Sequence, residues 1–137
     1  MRRSAVLAAL LAACGSKPAP KKPPAELAVD GPASIAGEWV VDDDMGWYHT
    51  LAIAADGAFT LSIDRGKLAP CQQAGRLSPG DKARAFSLAL SKDTCHPDAA
   101  SATVAVEIGS FTGESLTLVV TGTGGAERRT YQRKPRS

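Results

Sequence analysis

The sequence predicts an all-β domain over residues 34–137, an antiparallel up-and-down barrel of eight short strands. Three observations lead there. From Ser34 onward apolar residues recur with a period of two, the spacing that puts alternate side chains on one face of a strand. The apolar runs are short and are separated by turn chemistry, as at Asp56-Gly57, Ser78-Pro79-Gly80-Asp81 and Thr112-Gly113-Glu114. No stretch after residue 34 carries a helical apolar period with caps.

In chain order, Ile35, Gly37, Trp39 and Val41 share one face of the first strand, and Leu51 and Ile53 mark the second. Phe59, Leu61 and Ile63 make the third, and Cys71, Gln73, Gly75 and Leu77 a weaker fourth. Phe86, Leu88 and Leu90 make the fifth, Val104, Val106 and Ile108 the sixth, and Leu116, Leu118 and Val120 the seventh. Arg129, Tyr131 and Arg133 lie on the last. Parallel pairing needs crossovers of a dozen or more residues, which these connections lack, so sequential strands pair antiparallel. Closure removes the two exposed edges of such a meander. A two-sheet sandwich is the competing architecture. In a barrel, Ile35, Leu51, Phe59, Leu61, Leu88, Val106 and Leu118 face inward. If they line a hollow they would hold a small apolar ligand; if they fill it, the protein would act through a surface.

The chain before the barrel has two parts. Residues 1–13 begin with Arg2 and Arg3 and continue as an apolar run from Ala5 to Ala13. That run is far short of the ~20 residues of a membrane-spanning helix and has the length of a secretory signal core. It ends in Leu11-Ala12-Ala13-Cys14, followed by Gly15-Ser16. This resembles the lipobox of bacterial lipoproteins. The resemblance implies cleavage before Cys14, lipid on Cys14, and a membrane-anchored protein facing the periplasm or the cell surface. Gly15 in place of an aspartate resembles lipoproteins sent to the outer rather than the inner membrane. The alternative is an ordinary secretory signal that leaves Cys14 as a thiol. Residues 14–33 carry prolines 18, 20, 23, 24 and 32 with Lys17, Lys21 and Lys22, the composition of a semi-rigid tether.

Once Arg2 and Arg3 are removed, 14 basic side chains face 14 acidic ones, which argues against nucleic acid as a partner. Cys71 and Cys95 are then the remaining cysteines besides Cys14, and in an oxidising compartment they are expected to pair.

Gly37-Glu38-Trp39 resembles the G-x-W signature that opens the first strand of lipocalin-type barrels. That resemblance implies a tryptophan plugging one barrel end with a late arginine packed across it, and Arg133 is the match. The small periplasmic inhibitors of secreted metalloproteases also open their barrel with G-x-W and are similar in size.

Nothing in the chain reads as a catalytic site, a cofactor site or a metal site. Asp42-Asp43-Asp44 lacks the spaced acids and distal glutamate of a calcium loop and reads as a solvated turn. His49 has the parity of Leu51 and so points inward, as a core or rim histidine; His96 lies in a loop. Thr121–Gly125 is glycine-rich, but no lysine closes it, so it reads as a hairpin turn. Arg128, Arg129, Arg133, Lys134 and Arg136 make a basic end, read as an ordinary charged strand and tail. The expected function is a non-catalytic binding module, anchored in the bacterial envelope through lipid on Cys14, for a small apolar ligand or an envelope protein. A protease-inhibitor-like interaction module is the alternative.

Overall fold

Eight antiparallel strands run β1 (Gly37–Asp42), β2 (Tyr48–Ile53), β3 (Ala58–Asp64), β4 (Cys71–Pro79), β5 (Ala85–Asp93), β6 (Thr103–Phe111), β7 (Ser115–Gly122) and β8 (Gly125–Arg133). They were obtained from a computed structural model, which describes residues 25–96, 102–122 and 125–135. The expected signal segment, Cys14, Lys17, Lys21, Lys22 and Arg136 lie outside the described residues. Each strand pairs with the next, and β1 also pairs with β8, so the sheet is a closed barrel. The sandwich alternative is therefore excluded. Closure runs through a short seam, with Trp39 opposite Arg133 and Val40 opposite Gln132.

The period of two explains the core. Trp39, Leu51, Ile53, Phe59, Leu61, Leu77, Phe86, Leu88, Leu90, Val106, Ile108, Leu116, Leu118 and Tyr131 all join one buried apolar cluster. Two irregularities shift the count. The β4–β5 register slips at Ala74/Gly75, so that Leu90 pairs with Gly75 but Asp93 pairs with Gln73. The bulge turns the carboxylate of Asp93 inward, and its side chain is buried. The β6–β7 register slips between Ile108 and Ser110, and Phe111 enters the core where strict alternation would have placed Ser110.

Two expectations are corrected at the start of the domain. Ile35 does not share a strand with Trp39: Pro32–Ile35 form a 3-10 turn, and β1 begins at Gly37. Pro32 sits at the start of that turn, where its missing N–H is no loss. The folded part also begins before residue 34, the start expected from the sequence. Val29 is buried in the core, and Leu27 N–H donates to Phe111 C=O at 2.8 Å. The folded unit therefore includes residues 26–33, drawn in by one apolar side chain and a line of polar contacts.

Tyr131 is buried, and burial pushes its hydroxyl pKa up to about 12. The folded value lies above the ~10 of an unfolded tyrosine. Its stabilising contribution is thus complete below pH ~10 and is lost as pH rises through the folded value. The urea midpoint should fall over that window, and Tyr131→Phe should remove part of the fall. Identical alkaline profiles for the two proteins would contradict this account.

Candidate binding surface

The two ends of the barrel are chemically different. At one end β1 starts, β8 stops and residues 26–35 lie across the opening. Trp39 is 0% exposed there. The Arg133 guanidinium carbon sits 4.2 Å from its ring centroid, and Phe111 meets the indole edge-on at 6.1 Å and 71°. Trp39 Nε1–H donates to Ile35 C=O at 3.1 Å, so the indole's one donor is satisfied inside the protein. Arg133 Nε–H donates to Gly113 C=O at 2.6 Å, and its Nη1 donates to Ala36 C=O at 3.4 Å. Gly37 belongs to this cluster for a steric reason. Its φ is +140°, and a Cβ there would stand 2.5 Å from Arg133 Nη1. Gly37, Trp39 and Arg133, singled out from sequence, are thus one interlocked unit.

The segment ahead of it is fastened by Glu26. Its carboxylate accepts from Ser110 Oγ at 2.8 Å, Arg84 Nη1 at 3.0 Å and Phe111 N–H at 3.3 Å. The Ser110 hydroxyl foremost, then Arg84, holds its carboxyl below the usual range. Arg84 Nη2 also donates to Leu27 C=O at 2.9 Å. These contacts join residues 57 to 85 positions apart, so no local pattern could have revealed them.

At the opposite end, Asp43 organises the β1–β2 loop. Its Oδ1 accepts from Met45 N–H at 2.9 Å and Trp47 N–H at 3.0 Å, and Asp43 N–H donates to Trp47 C=O at 2.9 Å. Its Oδ2 lies 2.8 Å from His49 Nε2. The His49 hydrogen bond, followed by the loop amides, holds the Asp43 carboxyl below its ordinary range. Of the three aspartates expected in a solvated turn, only Asp42 and Asp44 are exposed in that way. His49 points inward as its parity implied and is buried. With the Asp43 carboxylate as acceptor, His49 Nε2–H is the donor of this bond, and the buried Nδ1 has no protein partner among the described residues.

The β3–β4 loop stands beside it. Arg65 Nε–H donates to Ala69 C=O at 2.7 Å, and Gly66 N–H donates to Asp64 Oδ1 at 3.0 Å. The Arg65 guanidinium lies 5.7 Å from the Trp47 ring. Held on these two fixed loops and the adjoining end of β2 are Met45, Leu68 and Tyr48, exposed by 69%, 56% and 40%. Apart from Leu27, they are the large apolar side chains most open to solvent among the described residues.

Cys71–Cys95 lies on the same rim, with Cα atoms 5.0 Å apart, as the cysteine count implied. Asp93 supports it: Oδ1 accepts from Cys95 N–H at 3.0 Å and His96 N–H at 2.9 Å, and Oδ2 accepts from Gln73 Nε2 at 3.2 Å. Asp93 is thus a structural carboxylate with its lone pairs engaged. A shallow depression of about 330 Å³ lies on the outer wall nearby, lined by Ser62, Pro70, Cys71, Gln72, Lys92 and Thr94. Its polar side chains already bond each other, with Lys92 Nζ donating to Gln72 Oε1 at 3.1 Å.

No family model, curated protein or solved structure matches this chain. The site must therefore be read from its own chemistry. No group of three or more His, Cys, Asp or Glu among the described residues is arranged to hold a metal ion. Ile35, Leu51, Phe59, Leu61, Leu88, Val106 and Leu118 all lie in the single apolar core, packed against one another.

Proposed function

We propose that this protein is a lipid-anchored, non-catalytic binding module of the bacterial envelope that acts through the loop surface around Met45, Tyr48 and Leu68. The observation that carries this reading is the contrast between the barrel's ends. The chain enters at the end sealed by Trp39 and Arg133, where Leu27 is the one large apolar side chain left exposed among the described residues, and Met45, Tyr48 and Leu68 stand together on the braced loops and strand end at the other. A tether leaving from Glu26 presents that second end away from the membrane. The apolar core favours a surface over a carried ligand, since Ile35 and the six wall positions Leu51, Phe59, Leu61, Leu88, Val106 and Leu118 are all buried in one cluster. The Trp39–Arg133 contact supports the resemblance to lipocalin-type barrels, and an inhibitor-like module would use the same loops against a protease. A second reading draws on His49: its unpartnered Nδ1 favours a small ligand carrying a hydrogen-bond donor at the barrel mouth.

The test is photo-cross-linking in the native host, with the reactive side chain at Met45 or, as control, at Ala105 on the outer wall. A discrete protein adduct from Met45 and none from Ala105 is expected. Native mass spectrometry of the same protein should show no small-molecule adduct. A co-purifying ligand with no protein adduct from any position would overturn the surface reading in favour of the second. The anchor is tested separately: labelled palmitate should mark the wild type and leave Cys14→Ser unlabelled, and equal labelling would remove the anchor from the proposal.

A further inference from the structure

On the outer wall near these loops, three side chains stand in one cross-strand row. Asp42 of β1 is opposite Tyr48 of β2, and Tyr48 is opposite Asp64 of β3. All three are exposed. Neighbouring strands are ~4.8 Å apart, so Tyr48 is flanked by an acidic residue on each adjoining strand, with about 10 Å between the two acidic positions. Among the described residues no lysine or arginine pairs with Asp42, Asp44 or Asp64. Asp64 spends one oxygen on Gly66 N–H and keeps its charge. Around this row three exposed carboxylates (Asp42, Asp44, Asp64) accompany two cations (Arg65, Lys67), the Asp43 carboxylate being engaged by His49. Arg65 is held by Ala69 C=O and the Trp47 ring rather than by any of the acids.

An aromatic ring between two like charges is an uncomfortable arrangement in isolation and a complementary one for a cation. An ammonium or guanidinium laid on the ring would be attracted by its face and by both carboxylates. Met45 and Leu68 add apolar area beside the row, and the combination of aromatic, methionine and arginine side chains is the one enriched in protein interfaces. A bilayer fits less well, because three unpaired aspartates would face the head groups. Resting on the reading of the barrel as a binding module, we infer that Asp42, Tyr48 and Asp64 form a recognition site for a lysine or arginine side chain of a partner polypeptide whose neighbouring aliphatic residues cover Met45 and Leu68.

The test uses the full mature chain carrying Cys14→Ser, ¹⁵N-labelled, and two defined probes. One is an amphipathic peptide of leucine and lysine; the other has glutamate at every lysine position. The lysine peptide should shift amide signals of residues 42–48 and 64–68, and the glutamate peptide should not. Asp42→Asn with Asp64→Asn keeps the shape and the Gly66 contact while removing both charges, and should weaken binding at least tenfold. Tyr48→Ala should do the same, whereas Tyr48→Phe should keep most of the affinity, because the ring face remains. Spectra of the free variants report whether the fold is intact. Equal binding of the two peptides, shifts elsewhere on the barrel, or full affinity in the double asparagine variant would overturn the site. So would phosphatidylcholine vesicles that shift the same signals in wild type and double variant alike. If these titrations fail while Met45 still yields its cross-link in the host, the module stands and the cation site falls. If neither gives a signal, both fall.

Discussion

Trp39→Ala should lower the free energy of unfolding by ~3–5 kcal/mol, the range for a buried aromatic cut to alanine. The position is at the upper end of that range for structural reasons. The indole is fully buried, and its Nε1–H satisfies the Ile35 carbonyl, which belongs to an equally buried residue. Its removal strands that acceptor, takes the edge-on partner from Phe111 and the platform from Arg133. A domain of about this size loses ~4–8 °C of Tm per kcal/mol, so the shift should be large by circular dichroism. Arg133→Ala should cost less, because the cation–π contact is worth ~0.5–2 kcal/mol. Arg133→Lys should recover only part, since an ammonium has no planar fork to reach both Gly113 and Ala36 while covering the ring. A Trp39→Ala loss below ~1 kcal/mol would show that the sealed end does not hold the barrel shut.

Removing the disulfide should have an effect of similar size. Replacing Cys71 and Cys95 together by alanine, which avoids a stray thiol, frees a loop closed over a separation of 24 residues. Chain entropy assigns such a loop ~3.5 kcal/mol. That is a large share of the ~5–15 kcal/mol typical of a domain. The bridge is not isolated: Thr94 N–H donates to Gln72 C=O at 2.9 Å, Gln72 N–H donates to Thr94 Oγ at 2.8 Å, and Asp93 caps the amides of Cys95 and His96. These contacts hold the loop near its oxidised position, so the loss should appear as a lower urea midpoint without a new fold. Unchanged midpoints with and without reductant would refute the assignment of stability to this bond.

Much of the barrel was legible because period-two alternation is a local signal. Strand order and closure followed from it and from short turns, whereas the pairing of Trp39 with Arg133 was what the resemblance to lipocalin-type barrels implied. Counting by twos fails where a strand gains a residue, which is why Asp93 and Phe111 were missed as inward-facing. It also carried the pattern back too far, placing Ile35 on a strand when Pro32 starts a helical turn. Val29, a single apolar residue in a proline-rich stretch, gave no periodic sign of its burial. The candidate surface was least visible. Asp42, Tyr48 and Asp64 are ordinary in sequence and become a row only when β1, β2 and β3 lie in register. Asp43 looked like one of three solvated acids, and its bonds to Met45, Trp47 and His49 exist only once the loop is folded.

The clasp at Glu26 has a mechanical consequence. If the chain is anchored upstream, any pull between membrane and partner enters the domain at this residue and not at Gly37. Load reaching Gly37 directly would peel β1 from β8 one bond at a time, at the place where the barrel is joined by only two register pairs. Glu26 instead passes tension sideways to Ser110, Phe111 and Arg84, which belong to β6 and the turn before β5. There the strain is shared by several bonds in shear, within walls that are paired along most of their length. With such an anchor the strap would work as a strain relief: the line to the membrane could be tugged while the joint that closes the cylinder stays slack.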